Sequence, residues 1–128
     1  VIYLDSSVVL SQLLAENRPL PRSFAESPLV SSRLLEYEIW NRIHAYGLTR
    51  SHFEEAQTVL TRVLLIDLSP SVLARALEPF PIPIRTLDGL HLATIEFLRT
   101  DGDDIELASF DRRLIAAARA LDIPIYAL

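Results

Sequence analysis

Apolar and polar residues are ordered along the chain in two different periods. Short β-type runs recur: VIYLD at the start, Leu29 and Val30, LLIDLS from Leu64 to Ser69, IELASF, and IPIYAL at the end. Between them lie stretches whose apolar residues return every three or four positions, the spacing of one helix face. These predict helices from Val8 to Ala15, from Arg33 to Tyr46, from Ser51 to about Val63, from Pro70 to just before Pro79, over TLDGLHLATIEFL, and over DRRLIAAARAL. Ser31 and Ser32 supply a cap for the second of these and Gly47 closes it. Ser51 with Glu54 three residues on reads as a capping box. The segment from Asn17 to Pro28 holds three prolines and reads as a loop, Thr100 to Asp104 reads as an acidic turn, and EPFPIPI alternates proline with apolar residues, as an extended connector does. Strands that alternate with helices imply parallel crossovers. The expected architecture is α/β: a single domain over 1–128, a three-layer α/β/α sandwich with a mainly parallel central sheet.

Composition narrows the chemistry. Half of the 128 residues are hydrophobic, enough for a core, and no run reaches the roughly 18 apolar residues of a membrane span. The opening lacks a basic region, and Asp5 interrupts its apolar run, so it does not read as a secretory leader. With no cysteine there is no disulfide and no thiolate metal site, which fits a reducing cytoplasm. All 12 strong bases are arginine. Without lysine there is no P-loop, Schiff base or Ser–Lys pair. The net charge of −5 argues against a nucleic-acid ligand unless something offsets it.

Four acids occupy comparable places. In an open parallel sheet, sites form beyond the carboxyl ends of the strands. Asp5 ends the first strand and Asp111 follows IELASF, each just before a helix. Either is also a favoured N-cap. On a wheel of 100° per residue, Leu34, Leu35, Ile39, Ile43, Ala45 and Tyr46 spread over one half of their helix. Glu38 falls inside that half and Glu36 outside it. A core-facing charge is costly unless paired or bound to metal, and Arg42, four residues on, is the available pair. Asp88 opens a helix whose Leu87, Leu90, Leu92, Ala93, Ile95, Phe97 and Leu98 point almost all round, as in a buried helix. The helix dipole favours an acid in that first turn, and Thr86 is available as the cap. His91 lies one turn on and reads as a hydrogen-bonded core histidine rather than a ligand.

Four carboxylates gathered in one pocket repel unless protons or cations neutralise them. Mg²⁺ or Mn²⁺ suits an all-oxygen set, and such ions activate water and steady a phosphodiester's developing charge. Without these four acids the chain carries −1, so a loaded pocket would attract phosphate rather than repel it.

The motifs that carry these acids resemble those of PIN-domain ribonucleases, most closely the VapC-type toxins of bacterial toxin–antitoxin pairs. YLDSS is similar to the family's opening motif, SSRLLEYEIWNR to its serine-led helix, TLDGLHLAT to its third-acid motif and LASFDRRL to its last. The four stand in family order over essentially the whole chain. The resemblance implies an Mg²⁺- or Mn²⁺-dependent endoribonuclease that leaves 3′-hydroxyl and 5′-phosphate ends. In it, Asp5, Glu38, Asp88 and Asp111 hold metal or orient water, and Ser7 and Ser109 supply hydroxyls beside them. Many relatives have Thr in place of Ser109, and Ala is common in place of Gly89. The resemblance further implies a homodimer held inactive by a VapB-type antitoxin, whose tail lies along the helical region of Tyr37, Trp40 and Tyr46 and puts a basic side chain into the acidic pocket.

Arg112 and Arg113, beside Asp111, are candidates for contact with substrate phosphate; a solvated helix start is the alternative. Tyr37 and Trp40 lie opposite the apolar half of their helix, where exposed aromatics mark a binding surface unless the following helix covers them. Two other functions compete. An aspartyl-phosphate phosphotransfer domain also gathers acids at strand ends, but it needs a lysine. A PIN-like binding domain without catalysis would have no need of all four acids.

Overall fold

A computed structural model describes residues 1–14 and 19–128. Its elements are β1 (Ile2–Leu4), α1 (Ser6–Leu13), α2 (Arg22–Glu26), β2 (Leu29–Ser32), α3 (Leu34–Ala45), α4 (Phe53–Thr61), β3 (Val63–Ile66), α5 (Pro70–Ala76), α6 (Thr86–Thr100), β4 (Glu106–Ala108) and α7 (Arg112–Ala120). The four strands form one parallel sheet in the order β3-β2-β1-β4. Tyr3 pairs with Val30 on one side and with Leu107 on the other, so β1 is central.

The alternation of β1 divides the core. Ile2 and Leu4 point to one face, where they pack with Val8, Phe24, Leu35, Ile39, Ala56 and Leu60 from α1, α2, α3 and α4. Tyr3 points to the other face, with Leu92, Ile95 and Leu98 of α6 and Leu114, Ala117 and Ala118 of α7. This is the expected three-layer sandwich. The sequence runs outward from β1 to β2 and β3, while β4 returns to the opposite side of β1. The order therefore reverses between β1 and β4, the switch point at whose carboxyl end α/β sheets place their sites.

Helix α3 ends as Gly47 predicts. Gly47 has φ +68°, its N–H donates to the carbonyl of His44, and Leu48 N–H donates to that of Ile43. Ser32 Oγ accepts from Leu34 N–H at 3.1 Å at the start of the same helix.

Four local expectations are corrected. The loop of prolines contains α2, which follows Pro21 and buries Phe24. The capping box at Ser51 does not form: helix α4 begins at Phe53 without a side-chain cap, and Ser51 Oγ turns back to the Leu48 carbonyl and to His52. Thr86 is likewise no cap, since it is the first residue of α6 and Arg85 precedes it. The final strand shrinks to a single parallel bridge between Leu107 and Ile125. Leu107 N–H donates to Pro124 and Tyr126 N–H to Leu107, and the ring nitrogen of Pro124 has no hydrogen to extend the ladder. The expected end of the first helix at Ala15 and the start of the loop at Asn17 lie outside the described residues.

Candidate active site

The carboxyl ends of β1 and β4 open into a cleft of about 520 Å³ whose lining includes Asp5, Glu38, Asp88 and Asp111 together. Each acid arrives by a different route. Asp5 follows β1 and is the N-cap of α1, and Asp111 follows β4 and is the N-cap of α7. Glu38 comes from the second turn of α3, and Asp88 from the first turn of α6.

Asp5 is buried at 6 % exposure. Its Oδ2 accepts from Ser7 Oγ at 2.6 Å and from Ser109 Oγ at 2.8 Å. Those hydroxyls are tied down in turn: Phe110 N–H donates to Ser7 Oγ and Asp111 N–H to Ser109 Oγ, both at 2.9 Å. The two serines thus lock the loop after β4 to the loop after β1. All of these bonds fall on Oδ2, so Oδ1 has no hydrogen-bond partner among the described residues. Burial pushes the Asp5 carboxyl above its ordinary range, against the Ser7 and Ser109 hydrogen bonds and the nearby His91, and the charge of Glu38 pushes the same way as burial.

Glu38 does not pair with Arg42. Its Oε1 accepts from His91 Nε2 at 2.6 Å and its Oε2 from Ser6 Oγ at 3.3 Å. A carboxylate only accepts, so the Nε2 of His91 carries the proton. The other ring nitrogen, Nδ1, lies 2.7 Å from the hydroxyl of Tyr3. Tyr3, His91, Glu38 and Ser6 therefore form one chain through β1, α6, α3 and α1. With both nitrogens engaged, His91 stands behind the acid and orients it. Burial works to lower the imidazole's pKa, but the hydrogen bond and charge of Glu38, with Asp5 and Asp88 beyond, outweigh it and raise it. Burial drives the Tyr3 phenol far above its ordinary range, so it stays protonated.

The other two acids share one cation that the sequence reading missed. Arg85 Nε donates to Asp88 Oδ2 at 2.8 Å, and Arg85 Nη2 reaches Asp111 Oδ2. Asp111 also accepts from the backbone N–H groups of Arg113 and Leu114. Burial pushes its carboxyl up, but Arg85 and these N–H donors outweigh burial and hold it below the usual range. With Asp88 and Asp111 turned to the guanidinium, no three acidic or histidine side chains among the described residues converge on one ion position. The donor set still fits a hard divalent cation. It is all oxygen, one carboxylate is buried and its Oδ1 has no hydrogen-bond partner among the described residues, and two others already bind a positive group between them. The signal for Arg85 was its place three residues before Asp88, an ion-pair spacing.

The remaining predicted residues are spread out. Arg113 lines a groove beside the cleft with Arg85 and Asp88, while Arg112 is exposed and lines neither. Tyr37 is 61 % exposed on the outer face of α3. Trp40 is half-buried and packs on Phe53 of α4 and on His44, so the following helix does cover it. Tyr46 lines the acidic cleft. Among the described residues, no helix is long and apolar enough to cross a membrane.

Comparison with known proteins agrees with this geometry. The family model of the PIN domain matches residues 2–120. Ribonuclease VapC46 of Mycobacterium tuberculosis (strain ATCC 25618 / H37Rv) is 31 % identical over 133 aligned positions, covering 98 % of this chain and 96 % of that protein. The parallel sheet, the acids at its switch point and the match along nearly the whole length all point one way: the chain belongs to the PIN-domain family.

Proposed function

We propose that this chain is a metal-dependent endoribonuclease of the VapC type, the toxin of a toxin–antitoxin pair. The observation that carries the reading is one cleft lined by Asp5, Glu38, Asp88 and Asp111 at the sheet's switch point. The similarity to a VapC ribonuclease supports RNA as the substrate.

Asp5, Glu38, Asp88 and Asp111 would hold the ion. Bound there, Mg²⁺ or Mn²⁺ supplies a Lewis acid for the phosphodiester and lowers the pKa of a water. The chain's own groups do the rest. Ser7 and Ser109 fix Asp5 by its Oδ2, so that Oδ1 would be the atom left for an ion. Tyr3 and His91 likewise fix Glu38. In the reaction, the oxygen of water bonds to phosphorus and one of its protons passes to a carboxylate. The bond from phosphorus to the 3′ oxygen breaks, and that oxygen leaves with a proton as the 3′-hydroxyl, with phosphate on the 5′ end. Arg85 is the counter-charge of Asp88 and Asp111 and would give way to an ion, and Arg113 in the neighbouring groove would take a substrate phosphate.

The partner reading is that of a homodimer inhibited by an antitoxin along α3, touching the exposed Tyr37 rather than Trp40, which α4 covers. The position of Arg85 supports it, because a guanidinium fits between Asp88 and Asp111. Tyr37→Ala should weaken the toxin–antitoxin complex and spare cleavage.

The test of the activity is direct. The purified protein with Mn²⁺ should cut structured RNA, EDTA should abolish cutting, and Asp88→Asn should be inactive. Equal cleavage by wild type and Asp88→Asn would sink the assignment.

A further inference from the structure

Glu38, Arg42 and Tyr46 are spaced four residues apart on α3 and its C-cap, so they form one row along the helix. All three line the acidic cleft. At 1.5 Å of rise per residue, Arg42 lies about 6 Å and Tyr46 about 12 Å along the axis from Glu38. The row thus leads from the acids to the rim: a carboxylate, a guanidinium, an aromatic ring.

Two features make the outer pair unlike ordinary surface residues. The backbone at Tyr46 is held by the double hydrogen-bonded turn through Gly47 and Leu48, yet the side chain is 56 % exposed. Arg42 lies over that ring at 5.8 Å from its centroid, and its Nη1 donates to the Tyr46 hydroxyl at 3.5 Å. Among the described residues, no carboxylate pairs with Arg42, whereas the cleft's other arginine, Arg85, is spent on Asp88 and Asp111. An acidic centre that must receive a polyanion needs an unspent cation close by.

On the reading that the chain is a ribonuclease, we infer that Arg42 and Tyr46 form a nucleotide subsite. Tyr46 stacks a base of single-stranded RNA, and Arg42 takes the phosphate linking that base to the nucleotide being cut. Stacking on an aromatic ring flanked by arginine is how proteins hold unpaired bases without demanding a particular sequence. The subsite therefore selects unpaired RNA beside the scissile bond rather than a base identity. It assigns Tyr46 to the substrate and not to a protein partner.

The test is steady-state cleavage of a short, dye-labelled single-stranded RNA with Mn²⁺, with thermal melts of each variant as the control for folding. Tyr46→Ala should raise KM about 5- to 100-fold and leave kcat within about twofold, while Tyr46→Phe keeps the ring and the wild-type KM. Arg42→Gln should raise KM and reduce the slope of log KM against log salt by about 0.7, the value for one phosphate contact on a single strand. A merely structural role for Arg42 would leave that slope where it was. The subsite is overturned if wild type cuts and Tyr46→Ala has the wild-type KM, if Tyr46→Phe is as damaging as Tyr46→Ala, or if Tyr46→Ala weakens only the capture of a partner protein. A wild type that cuts no RNA with Mn²⁺ overturns the ribonuclease reading itself.

Discussion

Arg85 donates from Nε to Oδ2 of Asp88 at 2.8 Å, and the same guanidinium reaches Asp111. One arginine thus bridges two carboxylates that stand at the starts of different helices and that only the fold brings together. Its side chain is about half exposed, whereas that of Asp88 is largely buried. The guanidinium can therefore swing out without opening the core, and the acids cannot follow it.

Competition follows from that arrangement. An ion that takes Asp88 and Asp111 must displace Arg85, and breaking two part-exposed pairs costs about 0.5–1 kcal/mol each. Arg85→Ala should therefore bind Mn²⁺ about 5- to 30-fold more tightly by titration calorimetry, and its metal-free form should melt a few degrees lower. Arg85→Lys should fall between, because an ammonium cannot fork to both acids. Equal Mn²⁺ affinity in wild type and Arg85→Ala would show that the arginine and the ion do not compete.

The four acids were legible because each sits where a periodic pattern makes a charge expensive or where a strand gives way to a helix. What held them was legible only in part: Ser7 and Ser109 were named beside Asp5, but the partners of the other three acids were not. Arg85 lies at the end of a proline-rich connector with no period to mark it, and its bond to Asp111 spans 26 residues. Glu38 was readable as a core-facing acid, but its partner is His91 of α6 and not Arg42, one turn away on its own helix. Local spacing suggests the near partner, and packing supplies a nearly buried one from the opposite layer. The missed helix α2 is of the same kind. Five residues make a poor helix alone, and it is the burial of Phe24 against the sheet that holds it.

Tyr3→Phe tests the chain behind Glu38. It removes one oxygen and leaves the buried Nδ1 of His91 without its 2.7 Å partner. A buried polar atom left unpaired costs about 1–3 kcal/mol, so the melting temperature should fall by several degrees. Cleavage should weaken as well, because Glu38 loses its fixed orientation. A variant with wild-type stability would mean that the Tyr3 hydroxyl adds nothing to what Glu38 and packing already do for His91.

Ser7 and Ser109 act on one oxygen atom of Asp5, so their effects should not add. Removing either hydroxyl leaves Oδ2 one hydroxyl donor beside the 3.4 Å contact from Ser7 N–H; removing both leaves a buried carboxylate with that contact alone. In urea denaturation, Ser7→Ala and Ser109→Ala should each cost about 1–2 kcal/mol. The double variant should depart from their sum by about 0.5–3 kcal/mol. Strict additivity would place the two hydroxyls in separate networks.

Gly89 offers a change in the opposite direction. It lies in the first turns of α6, directly after Asp88, where glycine costs about 1 kcal/mol relative to alanine. A Cβ there would stand 3.0 Å from Cδ1 of Ile84 and 3.6 Å from Cε2 of Phe80. The second distance is ordinary contact. The first is tight, but the atom is the free end of a half-buried side chain in the connector and can rotate away. Gly89→Ala should therefore gain most of the helix propensity and raise the melting temperature by a few degrees. Gly89→Val should lose stability, because its extra methyls meet the same side chain and a β-branched residue is a poorer helix former. A lower melting temperature for Gly89→Ala would show that Ile84 is wedged between α6 and its surroundings and that the glycine is there to admit it.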